Sequence, residues 1–349
     1  MPHNYHDELQ HDINIKADEI ISELPDFAQR FFNNMKTIDR SARTRLQYAY
    51  DIKRFFSFVQ AQPGFKDVDL HRCSNASILD LLSFDDIQEY LNTLNESSYT
   101  DSTGNIKEKT NSSSFKARNI SALRSFYKFY FKHGDIEKDM ANLLEIPKVK
   151  NIEKFPLDKS QVQRMLDAID SHADKTNVNH RYRDKAILTL LFGTGIRVSE
   201  LVAINVEDID FYNASILITR KGGDQDIVYF ATEVEQALQL YLENERSLLN
   251  LANNEHALFL SNRKQRISVR MVQEMMNTYS KEAGINMKVT PHTARRTFGT
   301  ALYDASGDLY LVADSLHHSS IQTTRRYAKM SEDHKRMAQK LSSGLFTKD

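Results

Sequence analysis

Between Thr290 and Tyr327 the sequence gathers side chains of the kind that handle a phosphodiester. The stretch opens with Thr290-Pro291-His292-Thr293-Ala294-Arg295-Arg296. It continues through Leu316-His317-His318-Ser319-Ser320 to Thr323-Thr324-Arg325-Arg326-Tyr327. Arginine holds phosphate oxygens through a planar fork of donors, histidine moves protons near neutral pH, and a tyrosine hydroxyl can act as a nucleophile. Two further cations stand upstream. Arg197 follows the glycine-rich turn Gly193-Thr194-Gly195, where restricted freedom suits a phosphate clamp, and Lys221 sits in the turn Lys221-Gly222-Gly223-Asp224. Each piece also has a plainer reading: a capped surface helix with scattered charges, a helix-terminal Arg197 paired with Glu200, a solvated hairpin lysine.

The elements that must position these groups are legible locally. Thr290 reads as a helix N-cap and Pro291 as the first helical residue, where a missing N–H costs nothing. His292 and Arg295 then share one face of the first turn, whose free N–H groups and dipole suit an anion. Phe298, Ala301 and Leu302 follow as the expected buried side, and Gly307 ends the helix. Tyr303 and Tyr310, the tyrosines nearest to Tyr327, read as packing residues. Ser215–Thr219 and Ile227–Phe230 are short β runs joined by the Lys221 turn. Helices are expected from Asp158 to Ile169, Arg183 to Phe192, Glu233 to Asn250 and Val269 to Ala283.

The first half is helical and carries the positive charge unevenly. A helix over Ser41–Gln60 holds Arg43, Arg45, Lys53 and Arg54 against a single Asp51. A second, over Ser114–His133, buries Phe115, Ile120, Leu123, Phe126, Tyr127 and Tyr130. Its polar positions include Lys116, Arg118, Arg124, Lys128 and Lys132 and no acid. Arg124, Lys128 and Lys132 recur at four-residue spacing and so share a face. That face is either lysine-rich and merely solvated or laid against DNA phosphates, and the basic helix at 41–60 favours the phosphates. Asn95–Ser114 reads as a polar loop, and an acidic amphipathic helix ends near Pro25. Glu145–Pro156, with two prolines and alternating charge, reads as an extended linker.

Composition sets the outer bounds. A chain of 349 residues should make two domains, and 40% hydrophobic content is enough to fill two cores. Its net charge of −1 argues weakly against nucleic acid, but the placement of charge decides that question. Apolar runs are too short to span a membrane, and Met1–Glu8 lacks the regions of a signal peptide, so a cytoplasmic location is expected. Cys73 is the single cysteine, which excludes an internal disulfide and any zinc site with two or more thiolates from this chain. His317 and His318, as neighbours on a helix, would point apart, so no metal site is expected and no cofactor is implied.

Taken in order, the pieces resemble the tyrosine recombinases (phage integrase family). The resemblance rests on Gly193-Thr194-Gly195-Ile196-Arg197-Val198-Ser199-Glu200-Leu201, Arg220-Lys221-Gly222-Gly223, His292-x-x-Arg295, Leu316-x-His318-Ser319-Ser320 and Thr323-Thr324-x-x-Tyr327. It covers the whole second half and is greatest to the bacterial Xer recombinases. The long N-terminal segment and the sequence around Lys221 are similar to the XerS type, which works alone rather than as a pair. Two positions depart from the Xer pattern: Arg296 stands where histidine is frequent, and His317 where glycine is usual.

The resemblance implies a mainly α, C-shaped, two-domain DNA clamp. Its parts would be an N-terminal extension (1–40), a helical SAM-like core-binding domain (41–144), a linker (145–156), and a mixed α/β catalytic domain (157–349) with a small antiparallel sheet and a C-terminal tail. It makes Tyr327 the nucleophile, giving a 3′-phosphotyrosine and a free 5′-hydroxyl. It sets Arg197 and Arg295 on the non-bridging oxygens, adds His318 as a further donor to that phosphate, has His292 assist proton transfer at Tyr327, and makes Lys221 the general acid on the leaving 5′-oxygen. As partners it implies double-stranded DNA with inverted half-sites, a homotetramer linked by tail exchange through 331–346, and an FtsK-like translocase, with dimer resolution at a dif-like chromosomal site as the role. Integration or excision of a mobile element, a DNA-binding protein without catalysis, and a type IB topoisomerase remain the alternatives.

Overall fold

The computed structural model describes residues 5–100, 105–147, 155–175, 180–220, 223–251, 255–317, 324 and 327. The chain divides into two compact units, Asp7–Ile152 and Glu153–Asp349, with Met1–His6 counted in the second. It is mainly α-helical, with one two-stranded and one three-stranded antiparallel sheet.

The first unit contains α1 (Tyr5–Ser22, which begins at the boundary), α2 (Ala28–Thr37), α3 (Ala42–Ala61), α4 (Phe84–Thr93), α5 (Ser113–Lys132) and the short α6 (Met140–Leu143). Serines start three of these helices: the side chains of Ser41, Ser83 and Ser112 accept the N–H groups of Thr44, Asp86 and Phe115. The apolar stripe expected on α5 is buried, and Phe126 lies edge-on to Phe31, Phe56 and Tyr130 in an aromatic core. Residues 7–40, the greater part of the segment read as an extension, are not separate from this core. Leu24, Phe27, Phe31 and Phe32 are buried in it beside residues of α3 and α5, which binds the segment to the unit. Asn95–Ser114 is also not a plain loop. Strands β1 (Glu96–Thr100) and β2 (Ile106–Thr110) pair antiparallel, with Ser98 opposite Glu108. Its polar composition hid a ribbon held by backbone bonds.

The second unit is built from α7 (Lys159–Lys175), α8 (Arg181–Thr194), α9 (Val198–Ala203), β3 (Ile209–Asp210), β4 (Ser215–Thr219), β5 (Gln225–Tyr229), α10 (Thr232–Asn244), α11 (Val269–Glu282), α12 (Pro291–Ser306) and α13 (Leu309–Ser315). The strand order is β3-β4-β5, with Leu217 opposite Ile227. Helix α8 is the buried axis of this unit: Ile187, Leu188, Leu190 and Leu191 are fully inaccessible. It ends at Gly195, whose φ of 66° lies in the left-handed region that favours glycine. A Cβ there would also come within 2.5 Å of Phe298 on α12, so the glycine sets the approach of the two helices.

Candidate active site

Four of the predicted catalytic residues are described: Arg197, His292, Arg295 and Tyr327. All four line one cleft of about 830 Å3 in the second unit, together with Lys288, Thr290 and Arg296. Lys221 and His318 lie outside the described residues, as does the tail 331–346.

The N-terminus of α12 is built as its residues require. The Thr290 hydroxyl accepts the Thr293 N–H at 3.3 Å, and the Thr290 N–H reaches the Thr293 hydroxyl at 3.1 Å. Pro291 takes the first helical position, and Gly307, at φ 67°, closes the helix. His292 faces outward into the cleft, whereas Arg295, one turn later, is 6% exposed. Arg295 Nη1 donates to the Gly195 carbonyl at 2.7 Å and Nη2 to the Leu316 carbonyl. Two of its donors are thereby fixed to the ends of α8 and α13, which aims the rest of the fork. Burial, then the neighbouring positive charge of Arg197, pushes the Arg295 pKa down to about 10; Glu200 and Tyr327 oppose the shift, and Arg220 adds to it. A cation held at such a cost is one that gains from an incoming anion.

Arg197 stands at the N-cap of α9, directly after the Gly195 turn. Its Nη1 donates to Glu200 Oε1 at 2.8 Å and its backbone N–H to Glu200 Oε2 at 2.7 Å. The plainer expectation, a pair with Glu200, therefore holds, but Glu200 is 2% exposed rather than a surface partner. Arg197 keeps 34% of its side chain accessible on the cleft.

Tyr327 is 4% exposed and packs in a small cluster with Val312 and Leu316, against Phe298, Leu302 and Tyr303. Its ring lies on Gly299: a Cβ at that glycine would stand 2.8 Å from Cε1 and 2.9 Å from Cζ. This contact corrects the expected buried side of α12. Ala301 is exposed, and Gly299 and Thr300 are buried instead, because the tyrosine covers that flank. Tyr303 packs as expected, but Tyr310 is 76% exposed and lies outside the cleft. His317 follows α13 in a left-handed conformation, φ 48°. That geometry is easiest for glycine, which fits the glycine usual at this position, so His317 carries a conformational cost there.

Three groups of consequence were hidden in the sequence: Glu200 as partner of two arginines, Gly299 as the seat of Tyr327, and Arg220. Arg220 is 3% exposed, with its guanidinium between Glu200 and Asp226. A faint signal existed, since Arg220, directly after β4, continues the alternation of the buried Ile216 and Ile218.

In the first unit the structure separates the basic residues expected on DNA. Arg43, Lys128 and Lys132 are exposed, Arg124 is half-buried, and none of the four has a side-chain hydrogen bond or ion pair among the described residues. The other three are engaged within the protein, so they are poor phosphate ligands as they stand. Arg45 is 6% exposed and bonds Asn14. Arg118 grips Asp51 through Nε at 3.0 Å and Nη2 at 3.1 Å, and Lys116 Nζ reaches Asn95. Asp51, the single acid noted on α3, is 1% exposed and acts as a buried anchor for Arg118 and Arg54.

Residues 156–334 match the sequence pattern of the phage integrase family, and the chain belongs to that family, the tyrosine recombinases. Its activity class is site-specific DNA recombination. The chain is 30% identical over 289 residues to the tyrosine recombinase XerD of Oceanobacillus iheyensis, covering 81% of this chain and 94% of the relative. It is likewise 30% identical over 293 residues to XerC of Anoxybacillus flavithermus, covering 83% and 87%. Among solved structures it resembles XerH bound to a palindromic difH substrate in a post-cleavage complex, with 20% identity, a TM-score of 0.61 and coverage of 87% of this chain and 81% of that one. A lambda integrase tetramer on a Holliday junction gives 15% identity and a TM-score of 0.61 over 88% and 76%. These likenesses establish the fold, a two-domain recombinase architecture. Among the described residues no cluster of potential metal ligands occurs, and no helix is long and apolar enough to cross a membrane.

Proposed function

We propose that Tyr327 is the nucleophile of a Xer-type recombinase that cuts one strand at each of two DNA sites and rejoins it to the other. The observation that carries this reading is the convergence of Arg197, His292, Arg295 and Tyr327 on one cleft. The two guanidinium groups bind the non-bridging oxygens of the scissile phosphate and offset the charge of the pentavalent transition state. The Tyr327 oxygen forms a bond to phosphorus while the bond to the 5′-oxygen breaks, leaving a 3′-phosphotyrosine. His292 assists removal of the tyrosine proton, His318 adds a donor to the phosphate, and Lys221 delivers a proton to the departing 5′-oxygen. The covalent bond retains the energy of the phosphodiester, so rejoining needs no nucleotide cofactor.

The Xer relatives, both at 30% identity, favour resolution of chromosome dimers at a dif-like site over integration of a mobile element. The substrate in this reading is duplex DNA with two inverted half-sites, bound by a tetramer, with an FtsK-like translocase as activator. Arg43, Arg124, Lys128 and Lys132 supply phosphate contacts outside the active site. A nicked suicide substrate, from which the fragment bearing the 5′-hydroxyl diffuses away, should trap one protein per cut 3′ end in a denaturant-resistant adduct. Tyr327→Phe should bind the same DNA with similar affinity and form no adduct. An adduct persisting in that variant would move the nucleophile elsewhere. No adduct from the wild type on any cognate site would favour DNA binding without catalysis.

A further inference from the structure

Glu200 and Arg220, each 3% exposed, are buried more deeply than Arg295 itself at 6%. Burying a paired charge is often no better for stability than an apolar pair of the same size, so such pairs are informative where they do something else. The reaction as derived above has no use for Arg220. Its guanidinium nevertheless bridges two carboxylates: Nη1 donates to Glu200 Oε2 at 3.2 Å, and Nε and Nη2 donate to Asp226 Oδ2 at 3.1 and 2.7 Å. Glu200 in turn holds Arg197 at 2.8 Å through its other oxygen. An unbroken chain Asp226–Arg220–Glu200–Arg197 thus runs from the sheet to the cleft. Its outer end faces His317 Nδ1, 3.8 Å from Asp226.

The arrangement has an electrostatic consequence for Arg197. A carboxylate with one arginine partner closes onto it in a two-pronged pair and cancels its charge. Here the charge of Glu200 is divided between two guanidinium groups. Arg220 shares Glu200 Oε2 with the Arg197 backbone N–H, so that oxygen does not complete a two-pronged pair with the Arg197 guanidinium, and Arg220 holds the carboxylate from the far side. Arg197 is then located by Glu200 without being neutralised by it.

We propose that Arg220 is a positioning residue for strand cleavage: through Glu200 it fixes Arg197 toward the scissile phosphate and preserves the positive charge Arg197 presents there. The proposal rests on the reading that Arg197 holds that phosphate for attack by Tyr327. It predicts a defect in the chemical step that follows the charge on the phosphate. Arg220→Met should bind DNA within about threefold of wild type. It should form the suicide-substrate adduct about 100-fold more slowly, the scale seen when one oxyanion donor is lost. On a substrate whose scissile phosphate carries a methyl group in place of one non-bridging oxygen, the reacting group has lost its negative charge. The gap between Arg220→Met and wild type should there shrink by about tenfold or more, because less charge remains for Arg197 to offset. Arg220→Lys keeps the charge without the two-sided fork and should fall between the two on the ordinary substrate.

Cleavage by Arg220→Met at the wild-type rate would overturn the proposal. So would a slowing that is equal on both substrates, which marks a packing role alone. Where Arg220→Met lowers the melting temperature too far to compare, Arg220→Lys and Asp226→Asn carry the same two-substrate comparison with the same outcomes. Failure of the wild type to form any adduct would overturn the recombinase chemistry itself. A wild-type adduct with a charge-independent Arg220 defect would overturn this inference alone.

Discussion

Of the seven basic residues expected on DNA, four lack side-chain partners among the described residues and three are engaged, and the two groups should respond differently to salt. Replacing Arg124 and Lys128 by alanine removes two of the proposed phosphate contacts from one face of α5. Each contact contributes a slope of about −0.9 in the logarithm of affinity against the logarithm of salt concentration, so the double variant should be flatter by about 1.8. Between roughly 50 and 200 mM salt that difference amounts to about a tenfold change in relative affinity. Arg118→Ala is the internal contrast. It strips the bidentate partner from Asp51, which is 1% exposed, and leaves only Arg54 at 3.4 Å. Because Arg118 is itself 38% exposed, the cost to stability should be modest, about 1–2 kcal/mol, with the salt slope unchanged. Fluorescence anisotropy with a labelled duplex of generic sequence measures the slopes, and thermal unfolding measures the stability. An unchanged slope in the double variant would put that face in solvent. A slope flattened by Arg118→Ala would mean that Arg118 leaves Asp51 for DNA.

Three other outcomes test the second unit. The depressed pKa of Arg295 means that folding disfavours its proton at neutral pH by roughly 3 kcal/mol; the penalty is present below the folded value and is relieved as pH rises through about 10. Arg295→Gln should therefore hold or raise the melting temperature by a few degrees while abolishing the adduct, and a fall of more than about 5 °C would show that the two carbonyl bonds outweigh the buried charge. Gly195→Ala places a Cβ 2.5 Å from Phe298 at a φ of 66° and should cost about 2–4 kcal/mol in denaturant unfolding; a loss below about 1 would mean that α8 and α12 part easily. Truncation after Lys329 should leave binding to a single site intact and abolish synapsis and recombination, and a truncated protein that still recombines two sites at the normal rate would place the tail on its own domain.

Much of this was legible wherever a local rule decides the outcome. The Thr290 cap, Pro291 and Gly307 marked α12 almost to the residue, since caps and terminal glycines act within one turn. Arg197 at the start of α9 followed from the glycine turn before it. What could not be seen depends on contacts distant in the chain. Asp51 and Arg118 lie 67 residues apart, and nothing in either helix announces that the acid of one neutralises a base of the other. Glu200 and Arg220 are 20 apart and joined only once β4 folds beside α9. Gly299 read as an ordinary helical position because its reason, the Tyr327 ring, arrives 28 residues later. The ribbon at Glu96–Thr110 escaped for another reason: strands of polar composition carry no apolar alternation.

The seat of Tyr327 on Gly299 has a bearing on control. With the proposed nucleophile and both clamp arginines on one cleft of one chain, a single protomer holds every described part of the reaction. For Arg197, His292, Arg295 and Tyr327 the proposed reaction draws on one chain, with Gly299 as the floor beneath the nucleophile. A floor without a side chain holds the ring close and leaves nothing on α12 for it to interlock with, so the seat constrains depth more than sliding. In the proposed tetramer a pull transmitted to Tyr327 would then act along that smooth floor, which ties the order of cleavage to mechanics as well as to chemistry.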